Sequence, residues 1–203
     1  MDRHSINLRV ANPTLEEGLA FAHYVDEAAE GFFRFMLGPR AEHIIANAFT
    51  QPDHDLSYQY VSFAEHDNAI VGMFLGYTAE QHRRSSRQPL KLAAGKRNIR
   101  MRVVTILFAP LMRITDSIAD GDFYLQFIAV DKALRGGGVG SVLMDSFEER
   151  ARASGSTAIS LDVSASNEEA IRFYKRRGMA IESQWPRRLP IPGLRFYRLT
   201  KTL

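Results

Sequence analysis

The chain has 203 residues, 45% apolar and 24% charged, the balance of an ordinary folded domain, which excludes a disordered, collagen-like or low-complexity protein. Folding at this length buries roughly 70% of the unfolded chain's surface, so a full core needs no metal or disulfide staple, and the absence of Cys removes a disulfide framework, a thiolate nucleophile and thiolate zinc sites. The formal net charge of +3 hides an asymmetry, because Arg83, Arg84, Arg87, Lys91, Lys96, Arg97, Arg100, Arg102 and Arg113 fall in a stretch without a single acid, leaving the remainder net acidic.

In chain order, Ser5 to Ala11 reads as a short strand, and Thr14-Leu15-Glu16-Glu17 is a capping box that opens a helix. Leu15, Leu19, Ala22, Ala29, Phe32, Phe33 and Met36 keep near-helical spacing up to Gly38-Pro39, a stop signal. A second helix is expected from Arg40 to Phe49, then a strand hairpin of Tyr58 to Ala64 and Ala69 to Tyr77 joined through His66-Asp67-Asn68. Residues 81 to 121 interrupt the order with a basic link and an apolar-basic segment, Leu90 to Ile118, expected to be helical in part. A strand (Phe123 to Val130), a glycine-rich turn (Arg135 to Gly140), a helix (Ser141 to Ala153), a strand (Ala158 to Val163) and a helix (Asn167 to Arg177) follow. Two strands around Ile181 and Phe196, joined by the Pro-rich loop Pro186 to Gly193, close the chain. Strand-helix-strand order with long crossovers predicts one α/β domain over residues 1 to 203, its sheet at least partly parallel.

The N-terminus lacks an apolar signal region, and the longest apolar run, Val103 to Met112, is far short of the roughly 20 residues that span a bilayer. A cytoplasmic location is expected. The six His residues show no close pair at ligand spacing, so no metal site is expected.

The turn Arg135-Gly-Gly-Gly-Val-Gly140 runs from a strand directly into an apolar-periodic helix. Glycines allow close backbone approach, and free N–H groups of a first helical turn cradle anions. A phosphate-binding P-loop is excluded because no Lys-Ser or Lys-Thr follows, and the dinucleotide fingerprint fails because its third small residue would fall on Ser141 or Leu143. A ligand-free tight turn stays open on the residues alone. Downstream, Asp162 ends a strand, Ser166 and Glu169 have capping-box spacing, and Tyr174 lies two turns into the helix.

Together these segments resemble the GNAT superfamily of acyl-CoA-dependent N-acetyltransferases. Its acyl-CoA signature, [Q/R]-x-x-G-x-[G/A], is met by Arg135, Gly138 and Gly140, and its later signature by Asn167, Tyr174 and Gly178, with Met179 replacing the usual Phe. The resemblance covers about the last 80 residues; the 81 to 121 insert departs from it. It implies a mixed, mostly antiparallel sheet of about seven strands flanked by helices, with a helical insert. It also implies acetyl-CoA as cosubstrate, paired through backbone groups of Ile128, Ala129 and Val130. The pyrophosphate would be held by amides of Arg135, Gly136, Gly137, Gly138, Val139, Gly140 and Ser141, and the pantetheine or acyl end by Asn167, whose alternative role is a helix cap.

For the chemistry, Tyr174 is expected to protonate or hydrogen-bond the leaving thiolate. Many family members carry a Glu base where this chain has Gln126, an amide that accepts no proton. Asp162, twelve residues before Tyr174, matches the acid that relatives resembling ribosomal-protein N-terminal acetyltransferases use, and it is the expected base; His23, His43 and Asp122 are further candidates. With neither Cys nor an evident Ser–His pair, direct attack in a ternary complex is expected. A small amine metabolite is the first choice of acceptor, and a protein N-terminus or Lys the second. The basic insert reads first as the solvated polar side of an amphipathic cap; if it folds over the acceptor cleft, it would favour an acceptor that also carries a carboxylate or phosphate. The alternatives are a non-catalytic acyl-CoA sensor, or a membrane-surface or nucleic-acid contact through the insert. No membrane span or nucleic-acid partner is expected, and a homodimer is left open.

Overall fold

The computed structural model describes residues 6–95, 101, 103–104, 117–186 and 195–203. Strand β1 (Asn7–Val10) leads into helices α1 (Leu15–Ala28), α2 (Phe32–Leu37) and α3 (Ala41–Phe49), then the hairpin β2 (Val61–His66) and β3 (Ala69–Thr78). Short helices α4 (Ala79–Arg84) and α5 (Gln88–Ala94) begin the insert. After it come β4 (Asp122–Val130), α6 (Val139–Ala153), β5 (Ala158–Ser164), α7 (Glu168–Arg176), β6 (Ala180–Trp185) and β7 (Phe196–Thr202). The seven strands form one sheet ordered β1-β2-β3-β4-β5-β7-β6, antiparallel throughout except for the parallel β4–β5 pair, as the resemblance implied.

Several local boundaries differ from the pattern reading. The single helix expected up to Gly38 is two, because Glu30 and Gly31 adopt positive φ (51° and 80°) and break the ladder between α1 and α2. Helix α6 starts at Val139 rather than Ser141, since Gly138 at φ 94° is its cap. Tyr58–Tyr60 form a 3-10 turn before β2 rather than its first residues. Asp67 and Asn68, both at positive φ, make the two-residue turn that fixes the β2–β3 register. Most of the segment expected to be partly helical, Leu90 to Ile118, and nearly all of the Pro-rich loop lie outside the described residues.

Helices cover both faces of the sheet, so β3 reads as an almost unbroken apolar run. Met73, Leu75 and Tyr77 face α1, α3 and α5 in one core, with Phe21, Ile45, Phe49 and Phe63. Phe74, Phe123, Leu125, Ile159 and Leu161 face α6 and α7 in the other, around Leu143 and Phe147. Gly76 is required here: a Cβ would stand 2.6 Å from Phe147 Cε2, so the second core fits only over a bare backbone.

Glu148 anchors that second face. Buried on α6, it accepts from Lys201 Nζ at 2.8 Å and Arg177 Nη2 at 3.2 Å. Burial pushes its pKa up, and these two cations overcome that to hold it below the ordinary 4.5. Because the folded value is the lower one, its stabilisation is full above about pH 4.5 and is lost as pH falls through the folded value. Thermal melts from pH 7 to 3 should show Glu148→Gln less stable than the parent at pH 7, with the gap narrowing in acid; a constant gap would remove this ion cluster as the cause.

Candidate active site

Strands β4 and β5 pair only from Asp122↔Ala158 to Leu125↔Leu161 and then part, although both continue. One edge of Ile128, Ala129 and Val130 stays paired with Phe74, Met73 and Gly72 on β3, while the other opens into a cleft of about 1670 Å³. At the point of parting the β3–β4 register shifts, Leu75 opposing Phe127 and Gly76 opposing Leu125, so Gln126 is the extra residue of a β-bulge.

The glycine turn closes one end of the cleft. A 3-10 turn at Lys132–Leu134 leads to Gly136 (φ 79°) and Gly138 (φ 94°), after which α6 begins. The amides of Gly137 and Ser141 bond to Leu134 and Gly138 carbonyls. Those of Gly136, Gly138, Val139 and Gly140 make no backbone hydrogen bond among the described residues, which leaves four unpaired donors at the positive end of a helix, and Gly136, Gly138 and Gly140 line the cleft. Arg135 is tied inward: Nη2 donates to Glu27 Oε1 at 2.9 Å, and Nε donates to the Val130 carbonyl at 3.3 Å.

On the opposite wall, Asn167 caps α7, its Oδ1 accepting from Ala170 N at 3.0 Å. The capping box expected at Ser166 does not form; the Ser166 hydroxyl lies 2.7 Å from that of Ser164 instead. Asn167 thus has its oxygen engaged in the cap, and the residue lines the cleft. Tyr174, one face further along α7, is 7% exposed and packs edge-on against Phe173 with ring centroids 5.4 Å apart. Its hydroxyl has no hydrogen-bond partner among the described residues, and burial pushes its pKa well above 10.

Asp162 lies at the same cleft but is fully engaged. Arg198 on β7 donates Nε to Oδ1 at 2.8 Å and Nη2 to Oδ2 at 2.6 Å, and Tyr124 OH donates to Oδ2 at 3.0 Å. Arg198 Nη1 also donates to the Ser117 carbonyl at 2.6 Å, joining the end of the insert to the sheet. Tyr124 is buried beneath Arg198, and its pKa is raised by burial and by the Asp162 charge. Of the other candidates, His23 is exposed beside a separate small polar pocket, His43 is exposed on α3, and Asp122 is buried at the start of β4.

Pattern reading missed a second group on the far wall. Tyr77 OH donates to Gln126 Oε1 at 3.0 Å. His82 on α4 stacks on the Tyr77 ring at 5.5 Å and 8°, and its Nδ1 lies 3.0 Å from Asp55 Oδ1. The capping box Thr78–Gln81 starts α4 directly after β3 and so delivers His82 over Tyr77. Beyond them, Phe33, Leu56, Leu90 and Phe127 make an apolar wall, and Arg87 and Lys91 of the insert stand at the rim. Among the described residues no helix is long and apolar enough to cross a membrane, and no group of three His, Asp or Glu side chains could hold a metal ion.

Solved structures share this architecture. An acetyltransferase is 24% identical with a TM-score of 0.69, covering 97% of this chain and 98% of its own. The ribosomal-protein-S18-alanine N-acetyltransferase from Escherichia coli is 14% identical (TM-score 0.56; 97% and 93% covered). An agmatine N-acetyltransferase mutant in its apo form is 18% identical (TM-score 0.57; 98% and 100% covered). A comparison with curated proteins gives no significant match. At these identities the structures speak for the fold alone, whereas the sequence profile of the acetyltransferase (GNAT) family matches residues 22–179, most of the chain and nearly all of the cleft. With the parted strands, the glycine turn and that match in agreement, the chain belongs to the GNAT acetyltransferase family.

Proposed function

We propose that the protein transfers an acetyl group from acetyl-CoA to a primary amine by direct attack within a ternary complex. The observation that carries this is the parting of β4 from β5 directly above a glycine turn, with Tyr174 in the gap. A pantetheine arm would add to the open edge at Ile128–Val130 as an extra strand does. The unpaired amides at Gly136, Gly138 and Gly140 would hold the pyrophosphate, and the amide N–H groups of Asn167 would reach the arm from the other side.

The reaction moves one proton from nitrogen to sulfur as the C–N bond forms and the C–S bond breaks. Tyr174 meets the departing sulfur with its hydroxyl. Asp162 acts by positioning, because both of its oxygens are already held by three hydrogen bonds from Arg198 and Tyr124; it orients Tyr124 at the cleft and ties β5 to β7 through Arg198. The amine therefore enters neutral from solution. For a Lys-like amine of pKa about 10.4 that costs about 4 kcal/mol at pH 7.4, and for an amine near pKa 8 under 1 kcal/mol, which favours acceptors of low pKa.

The acceptor we propose is a small amine that also carries a carboxylate or phosphate. Ser86, Arg87, Leu90 and Lys91 bring the basic insert to the rim of the cleft, above the apolar wall. A protein N-terminus remains the second reading, since the structural relatives include both a ribosomal-protein and an agmatine acetyltransferase. Thiol release from acetyl-CoA with matched amines, such as phenylalanine and phenethylamine, separates them from N-terminal peptides. Lys91→Glu should raise the KM of the carboxylate-bearing amine about tenfold, a charge-assisted contact's worth, and leave that of the neutral amine unchanged. Equal KM values in both enzymes would remove the anionic-acceptor idea.

A further inference from the structure

Gln126 occupies the place where a base would be expected, yet its surroundings suit a different task. It is the extra residue of the β4 bulge, one position past the last β4–β5 pair, and it is half-buried in the cleft with Tyr124 and Tyr174. Its amide is held on one side: Tyr77 OH donates to Oε1 at 3.0 Å. Tyr77 is itself immobile, fully buried, stacked on His82 at 5.5 Å and flanked by Tyr60 and Tyr124 with centroids at 5.7 and 6.0 Å. With Oε1 occupied by a donor, the end of the amide that remains for the cleft is Nε2 with its two N–H groups. Donation into Oε1 polarises the amide and strengthens those N–H donors.

We infer that Gln126 is a catalytic hydrogen-bond donor to the thioester carbonyl, and that Tyr77 is the positioning residue that fixes its amide. This rests on the acetyl-transfer reading. As the amine nitrogen bonds to the carbonyl carbon, the C=O pair moves onto oxygen, and Nε2–H stabilises that charge. When the pair returns, the C–S bond breaks, the sulfur leaves as thiolate, and the proton lost by nitrogen balances the one sulfur gains. A donor prearranged where charge develops supplies typically 10²- to 10³-fold in rate. The opposite amide orientation would have Tyr77 accept from Nε2 and would turn Oε1 into the cleft, so the isosteric carboxylate distinguishes the two.

The test is infrared difference spectroscopy of acetyl-CoA, carbon-13 labelled at the carbonyl, bound to the native protein and to Gln126→Ala, Gln126→Glu and Tyr77→Phe, alongside turnover. A donor lowers the carbonyl stretch of the bound ligand relative to the free one. Native protein should show that lowering, Gln126→Ala and Gln126→Glu should abolish it with acetyl-CoA affinity kept in Gln126→Ala, and Tyr77→Phe should weaken it. Turnover of Gln126→Ala should fall about 10²-fold. An unshifted carbonyl in the native complex, or a Gln126→Glu enzyme as active as the parent, overturns the donor role and leaves acetyl transfer standing. Failure of folded native protein to bind acetyl-CoA overturns both.

Discussion

Tyr174→Phe should lower kcat by about 10²-fold while acetyl-CoA affinity and the thermal midpoint stay as in the parent. The ring packs on Phe173 and the hydroxyl has no hydrogen-bond partner among the described residues, so removing it leaves no donor or acceptor orphaned. The magnitude follows from the acid strengths. A thiolate of pKa about 8.5 already lies about 2 kcal/mol below an unperturbed phenol, and burial raises Tyr174 further, so complete proton transfer in the transition state is uphill. A hydrogen bond to the developing thiolate is what the hydroxyl can supply. Such charge-assisted bonds contribute about 1.5–3 kcal/mol, and 10²-fold is about 2.7 kcal/mol. The raised pKa also predicts no loss of activity from Tyr174 ionisation between pH 7 and 10. Stopped assays of kcat across that range, with calorimetric affinity, check both; a Phe variant within twofold of the parent removes Tyr174 from the chemistry.

Gly140→Glu should abolish acetyl-CoA binding while leaving the protein folded. A Cβ at Gly140 meets Phe173 Cζ and Val130 Cγ2 at 3.8 Å, ordinary contact, and Glu suits the first turn of a helix. The added carboxylate would stand beside the unpaired amides of the glycine turn, where the pyrophosphate would lie. Two like charges about 4 Å apart at an effective dielectric near 20 repel by about 4 kcal/mol, roughly 10³-fold in affinity. Gly138 is the poorer site for this test, since at φ 94° any side chain strains the helix cap itself. Unchanged affinity in a folded Gly140→Glu protein would take the phosphate away from this turn.

Two walls of this cleft were legible in the sequence because they are local: Arg135 to Gly140 and Asn167 to Tyr174 each lie on one strand-to-helix or helical segment, where spacing alone sets geometry. The contacts across the sheet were not. Tyr77 and Gln126 lie 49 residues apart, and Asp162 and Arg198 36 apart, and only the sheet register brings them together. The β4 bulge is invisible to an alternating pattern, since one extra residue in Phe123 to Val130 leaves every type unchanged. Asp162 shows the same limit: its spacing to Tyr174 suggests a base, and only the fold reveals Arg198 gripping it. Ser166 and Asn167 both carry capping side chains, and the choice fell to backbone direction at Asn167. The α1–α2 break failed for the opposite reason, because regular apolar spacing through Phe32 and Met36 outweighed the signal of Gly31.

Calorimetric titration of the native protein with acetyl-CoA, with Gly140→Glu run beside it, tests the central claim most directly. Saturable binding near one equivalent in the native protein, absent from the folded variant, is the predicted result. No heat and no saturation in folded native protein would contradict it, and would make the glycine turn a structural device in a cleft built for something else.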